Sequence, residues 1–352
     1  MVSVVVGDIE ERFVKMNNKI AIGCLVQWYE IELVEEYLQS VKNAVDVIDN
    51  KKNVVIDLYF NCSQRLEKID EKQITISDVK KKYNDILEKL FDDLEYSDYN
   101  INSYVNEYSD LIYTIADYRR DFNDKYCDKV DVLMWGETDA LIPRQTFEIL
   151  DNLHEGVKGD TPKYVGFFAT CKMWDKSWEV LEHPEFTVKP FKDIGNRVET
   201  KDWWSLRYNM NIDEMNAFND KIEDLDIQVI HQYKFNGCGL VISSDVVKSG
   251  VNIPKGSFFI HEDTAFLFQL QRFFQGQIPQ YVIKNILLVH NRKHIKKRSY
   301  ILGEDGVTPG DVTTGRKKHE WYRKASEMSH HNTYNMFNQS KTYSWKDVYD
   351  QD

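Results

Sequence analysis

An α/β fold with a mostly parallel sheet flanked by helices is predicted by three observations in this chain of 352 residues. Apolar runs of strand length recur at residues 19–26, 53–60, 130–135, 163–170 and 280–290. The first two flank a stretch with Ile31, Val34, Leu38, Val41 and Val45 at helical spacing, and their offset of roughly 30 residues is that of a βαβ unit, whose strands run parallel. The run at 130–135 breaks off into Gly136, Glu137, Thr138 and Asp139, which puts acids at the carboxyl end of a strand.

The remaining elements follow in order. Ser77 is expected to cap a charged helix over 78–94, a short strand is expected at 101–105 and a helix at 113–126. Pro143 opens a helix running to Leu153. Residues 171–207 are aromatic and irregular, with Trp174, Trp178, Trp203 and Trp204, and suit a lid or an acceptor wall. Helices are expected at 212–225 and 262–274, with a glycine-led strand at 237–243 between them. After the strand at 280–290, a Gly/Thr-rich loop (303–315) leads to a basic helix over 316–328, and the last twenty residues are expected to be loose. The expected division is an extension at 1–18, one large domain at 19–292 and a basic loop, helix and tail at 293–352.

Lys and Arg number 45 against 57 Asp and Glu, a formal charge of −12, which excludes a surface that coats nucleic acid by general basicity. Residues 291–324 hold ten Lys/Arg and four Asp/Glu, a local +6 that leaves −18 elsewhere. Five widely spaced cysteines without a Cys-x-x-Cys pair suggest neither a disulfide framework nor a zinc knuckle, and fit a reducing compartment. No run approaches the roughly 20 apolar residues of a membrane span, so a soluble, cytoplasmic protein is expected. Abundant Asn, Asp, Lys, Ile and Tyr suits an AT-rich genome such as a viral one, in which case the compartment is the host cytoplasm.

Glu137 and Asp139, spaced i, i+2 at a strand end, are the residue types that hold Mg²⁺ or Mn²⁺ while the metal bridges phosphates. In His261-Glu262-Asp263 the acids can complement a helix N-terminus, and Asp263 can also act as a general base that Glu262 orients. His290 closes an apolar strand, where it serves as a polar cap or as a third metal ligand. Lys293 and Lys297 nearby suit a departing diphosphate. The glycines of Asn236-Gly237-Cys238-Gly239 make a tight turn or let backbone pass close to a ligand, and no Walker or Rossmann glycine pattern is present.

Taken in order, IAIGCLVQWYE, VVIDLYFNCSQ, YRRDFNDKYCDKVDVLMWGETDALI, NGCGLVISSDV, HEDTAF and LLVHNRKH resemble glycosyltransferase family 2 and related GT-A enzymes over residues 19–294. The resemblance implies a Rossmann-like nucleotide-sugar-binding fold and a donor that is a nucleoside-diphosphate sugar, with a UDP-sugar favoured. It aligns Glu137 and Asp139 with the metal-binding acid motif, Asp263 with the base of inverting members, His290 with the metal histidine, and Gly237 and Gly239 with the glycine loop. Glu137 departs from the usual Asp, and Asn61-Cys62-Ser63 stands where an acid commonly helps bind the nucleotide. Arg119 and Arg120 either touch donor phosphate or ribose or form surface salt bridges. The acceptor is either a glycan or small hydroxyl compound, or a hydroxymethylated DNA base of the kind that viral enzymes modify. The competing readings are a nucleotidyltransferase and a non-catalytic nucleic-acid-binding module built on residues 292–324.

Overall fold

The computed structural model describes residues 13–63, 75–92, 97–108, 111–170, 211–230, 233, 236–291 and 320–349. The first apolar run forms β1 (Ile20–Gln27), and α1 (Ile31–Asp46) returns the chain to β2 (Val54–Asn61), which pairs parallel with β1. Both strands are buried on both faces, which is why they read as continuous apolar runs rather than as alternating ones. Then α2 (Ile76–Phe91) leads to the edge strand β3 (Asn100–Asn106), parallel to β2. The cap of α2 is Thr75, not Ser77: the Thr75 hydroxyl oxygen accepts from the Asp78 N–H, and Asp78 reaches back in a capping box.

From α3 (Ile115–Tyr126) the chain enters β4 (Val132–Trp135), parallel to β1 on its other side. Next come β5 (Ala140–Leu141), α4 (Thr146–Val157) and β6 (Val165–Thr170). The chain continues through α5 (Ile212–Asn219), β7 (Ile227–Ile230), β8 (Val241–Ser243) and α6 (Ser244–Lys248) to α7 (Glu262–Phe274) and β9 (Gln280–His290). The nine-stranded sheet has the order β3-β2-β1-β4-β8-β6-β9-β5, with β7 also on β9. Only β5, β7 and β8 run against the common direction, so the sheet is mostly parallel, as expected.

Successive residues of β1 face opposite layers. Ile20, Ile22, Cys24 and Val26 pack with α1, α2 and α4, whereas Ala21 and Leu25 pack with α3, α6 and α7. The helix expected over 212–225 stops at Asn219, whose buried side-chain amide is taken up by β9. Asn219 Nδ2 donates to the Leu287 carbonyl at 3.0 Å, and Leu287 N–H donates to Asn219 Oδ1 at 2.8 Å. Neither β5 nor β7 was expected, since strands of two and four residues carry too little periodicity to read.

The C-terminal region departs most from expectation. It forms α8 (Glu320–Asn335) and α9 (Trp345–Tyr349), so part of the last twenty residues, expected to be loose, is helical. Trp345 meets Phe258 at 5.1 Å and Phe259 at 5.5 Å, and Ala325 and Val348 are buried in the same cluster. Aromatic side chains in otherwise polar sequence supply this core. On α8, Arg323 and Lys324 are matched by Glu327 and Glu320, so this helix is not basic in sum. Residues 292–319, with the larger part of the cationic run and the Gly/Thr-rich loop, lie outside the described residues, as do 171–210 with their four tryptophans. Among the described residues, no helix is long and apolar enough to cross a membrane.

Candidate active site

At the carboxyl end of β4 the chain turns through Gly136, whose N–H donates to the Gly23 carbonyl at 2.7 Å. Thr138 is buried and its hydroxyl donates to Glu30 Oε2 at 2.9 Å; the same carboxylate oxygen accepts from the Gln27 N–H at 3.2 Å. The turn is thereby tied to the end of β1. Beyond it, the Asn291 N–H donates to the Asp139 carbonyl at 2.8 Å and Ala140 pairs with His290. Positions 139 and 290, far apart in sequence, are backbone neighbours.

Arg119, on α3, joins this turn to the start of α7. Its guanidinium donates to Glu262 Oε1 at 2.5 Å, to Glu137 Oε1 at 2.8 Å and to the Gly237 carbonyl at 3.1 Å, and it lies 4.8 Å from the Trp135 ring centroid. The side chain is only 2% exposed. A buried cation is tolerable here because two carboxylates and a carbonyl replace its water. Burial by itself would lower the Arg119 pKa, but Glu262 and Glu137 raise it. Burial pushes the Glu262 carboxyl up to about 7 against the pull of Arg119, and Asp263 adds to the push. Arg119 therefore keeps its charge throughout, and Glu262 is the member that takes up a proton as the pH falls.

Asp263 lies beside this clamp. A Cβ added to Gly237 would stand 2.6 Å from Arg119 Nη1, 3.2 Å from Asp263 Cβ and 3.4 Å from Asp263 Oδ2, so only glycine lets these groups meet. Asp263 Oδ1 accepts from the Thr264 N–H at 2.7 Å, which fixes the carboxylate at the first turn of α7. His261, the residue before the helix, has φ 66°, an uncommon left-handed conformation for a residue with a side chain. Its ring stands 5.2 Å from His330 and 6.1 Å from Tyr334, both on α8. Burial lowers the His261 pKa and the His330 ring adds to this, while Asp263 opposes it.

Glu137, Gly237, Glu262 and Asp263 thus gather around Arg119, although their motifs are widely separated in sequence, and Asp139 follows two residues after Glu137 in the same turn. Several residues have other employment than the one expected. Arg119, expected at donor phosphate or ribose, is committed to three protein acceptors. Arg120 holds the loop before α7, donating to the carbonyls of Ile253 at 2.9 Å, Pro254 at 3.3 Å and Ser257 at 3.1 Å. Gly239, expected in a ligand loop, sits at φ 67° against Leu288, where a Cβ would come within 2.5 Å of Cδ1, so it serves the core. Glu137 spends Oε1 on Arg119. Among the described residues no group of three or more His, Cys, Asp or Glu is arranged to hold a metal ion by itself. The side chain of His290, Lys293 and Lys297 lie outside the described residues.

Sequence reasoning missed the amides at the strand ends. Asn61 Nδ2 donates to Gln27 Oε1 at 3.0 Å and to the Tyr113 carbonyl at 3.1 Å, and Asn61 Oδ1 accepts from Asn106 Nδ2 at 2.8 Å. Asn61 is 3% exposed and ties together the ends of β1, β2 and β3 where the resemblance led one to look for a nucleotide contact. The signal available in the sequence was an amide at each of three strand ends.

No family model matches the sequence, and no curated protein matches it. Among solved structures, the chain is similar to S. aureus TarS 1-349 in complex with UDP-GlcNAc, with a TM-score of 0.47 and 9% identity over 94% of this chain and 70% of that one. It is also similar to the 4-diphosphocytidyl-2C-methyl-D-erythritol synthase of Anaerococcus prevotii DSM 20548, with a TM-score of 0.36 and 11% identity over 85% of this chain and 97% of that one. A third is CMP:2-keto-3-deoxy-manno-octonic acid synthetase complexed with CTP, with a TM-score of 0.32 and 10% identity over 88% of this chain and 99% of that one.

Proposed function

We propose that the chain is a glycosyltransferase of the GT-A type whose domain spans residues 19–292 and which moves a sugar, with inversion, from a nucleoside-diphosphate sugar to an acceptor hydroxyl. A UDP-sugar is the donor put first. The observation that supports this most is the pair of hydrogen bonds from Arg119 to Glu137 and Glu262, which joins the acid turn after β4 to the acid start of α7 at one end of the sheet. Open α/β sheets bind ligands in the crevice beyond the carboxyl ends of their strands.

In this reading Asp263 is the base. It takes the proton of the acceptor hydroxyl as the acceptor oxygen bonds to the anomeric carbon; the bond from that carbon to the diphosphate oxygen breaks, and its electron pair leaves with the nucleoside diphosphate. Glu262 and Arg119 are positioning residues that keep the first turn of α7 in place. Asp139 and His290, which lies opposite Ala140 in the β5–β9 pairing, are the residues that would hold a divalent cation, and Glu137, bonded to Arg119, supports the turn that carries Asp139. Two protein ligands fit Mg²⁺ or Mn²⁺, which commonly binds through one or two carboxylates plus phosphate oxygens and water. When bound, the ion neutralises charge developing on the diphosphate. Lys293 and Lys297 are proposed to assist the departure of the same group.

The test is to incubate the chain with Mn²⁺ and a panel of nucleotide sugars while following nucleoside diphosphate and pyrophosphate separately. Nucleoside diphosphate release is expected; pyrophosphate alone would make the chain a nucleotidyltransferase, and neither product from any donor would sink the reading. Asp263→Asn is expected to keep donor affinity and lose turnover by roughly 10²–10⁴-fold. Asp139→Ala is expected to weaken donor binding only when the metal is present, as measured by calorimetry with and without a chelator.

A further inference from the structure

The outer faces of α7 and α8 carry a series of rings that starts from His261, His330 and Tyr334 and extends beyond the site described above. The series begins beside Asp263: His261 meets His330 at 5.2 Å, His330 meets Tyr334 at 4.3 Å, and Tyr334 meets Phe268 at 5.4 Å. It continues to Phe273 on α7 and to Phe337 just past the end of α8, whose centroids are 6.4 Å apart, with the Arg272 guanidinium 5.8 Å from the Phe337 centroid. Packing two helices together would normally hide rings of this size. Here Tyr334 keeps 49% of its surface exposed, Phe337 47% and Phe273 60%.

We infer that this strip is the acceptor subsite and that it takes an extended, neutral glycan, an inference that rests on the glycosyltransferase reading of the adjoining Asp263. Three properties favour that occupant. The strip starts at the base and runs the length of α7, about 18 Å at 1.5 Å per residue, which is far longer than a single sugar and suits a chain of them. Exposed aromatic rings offer apolar faces for the C–H faces of sugar rings, while His330, the Tyr334 hydroxyl and Arg272 provide polar contacts for sugar hydroxyls. Charge then separates a glycan from a nucleic acid. A bound nucleic acid needs several phosphates neutralised, yet Arg272 is the one Lys or Arg in this series of residues, Asp263 stands at its head, and the whole chain carries −12. The left-handed backbone of His261, braced by His330 and Tyr334, is the joint through which the strip reaches the base.

The experiment is affinity electrophoresis of the full chain through gels containing soluble neutral polysaccharides, namely a β-glucan, a mannan and an arabinoxylan, with a parallel mobility-shift titration of a single-stranded oligonucleotide. The chain is expected to be retarded by at least one polysaccharide and not to bind the oligonucleotide at physiological salt. The double variant Tyr334→Ala, Phe273→Ala is expected to lose roughly tenfold in polysaccharide affinity, about 1.4 kcal/mol. Val229→Ala, which shortens an exposed side chain on β7, is expected to match the wild-type chain. Thermal melting and circular dichroism of each protein verify that the fold survives. Retardation by none of the polysaccharides, equal retardation of the double variant, or binding of the oligonucleotide alone would each overturn the inference. So would a concentration-dependent dimer that the double variant abolishes, since the strip would then be a contact between two copies of the chain. Binding of a UDP-sugar is followed separately. A chain that binds the donor but no polysaccharide loses this inference alone, and one held by polysaccharide through these rings but blind to every donor loses the glycosyltransferase reading alone.

Discussion

Two acidic segments bound the candidate site, and they are held in different ways. Glu137-Thr138-Asp139 is fixed mainly by backbone: Gly136 bonds to Gly23, Asn291 bonds to Asp139, and β5 joins β9 directly after the turn. His261-Glu262-Asp263 follows a long loop and begins on a strained residue, and its place depends on side chains: Arg119 on Glu262, His330 and Tyr334 against His261, and the absence of a side chain at Gly237. Backbone ladders are insensitive to pH and to most substitutions, whereas an ion pair with a buried carboxyl is sensitive to both. The turn after β4 is thus the rigid wall of the candidate site, and the start of α7 is the adjustable one.

Arg119→Met is the strongest way to break this contrast. It leaves the buried Glu262 and the half-buried Glu137 without their cation and is expected to destabilise the fold by about 3–5 kcal/mol, read from urea denaturation. Amide hydrogen exchange is expected to rise at Thr264 and Ala265 while Gly136 and Ala140 stay protected; equal loss at both segments would remove the distinction between them. Gly237→Ala comes next. Its Cβ would press on Arg119 and Asp263, at an expected cost of about 1–3 kcal/mol, with the larger change in turnover rather than in donor affinity.

The smallest effect sharpens the contrast through pH. Burial raises the folded-state pKa of Glu262 from its ordinary 4.5 to about 7, so the folded chain binds this proton more tightly than the unfolded one. The stability tied to that proton is fully present below pH 4.5 and is lost as the pH rises through about 7. Glu262→Gln, a neutral mimic of the protonated acid, is expected to flatten the decline in melting temperature across this window, whereas Asp139→Asn leaves it in place. An unchanged slope in Glu262→Gln would show that the helix start is not the pH-sensitive wall.

The sequence by itself determined the α/β class, the first parallel unit and the site of the first acid turn. In β1, α1, β2 and β4 the burial of each face is written in local spacing, and continuous apolar runs mark strands covered on both sides. It also marked Asp139, Asp263 and His290 as a set, through order along the chain and not through any visible contact. What only the tertiary structure decided is how Arg119 joins Glu137 to Glu262. Arg119 lies 18 residues from Glu137 and 143 from Glu262, and no periodicity links a cation on one helix to carboxylates on two other elements. The short β5 and β7, and the aromatic packing of α8 and α9 on Phe258 and Phe259, escaped for the same reason. Local pattern reports which face of a segment is buried; the partner that buries it is chosen by the path of the whole chain.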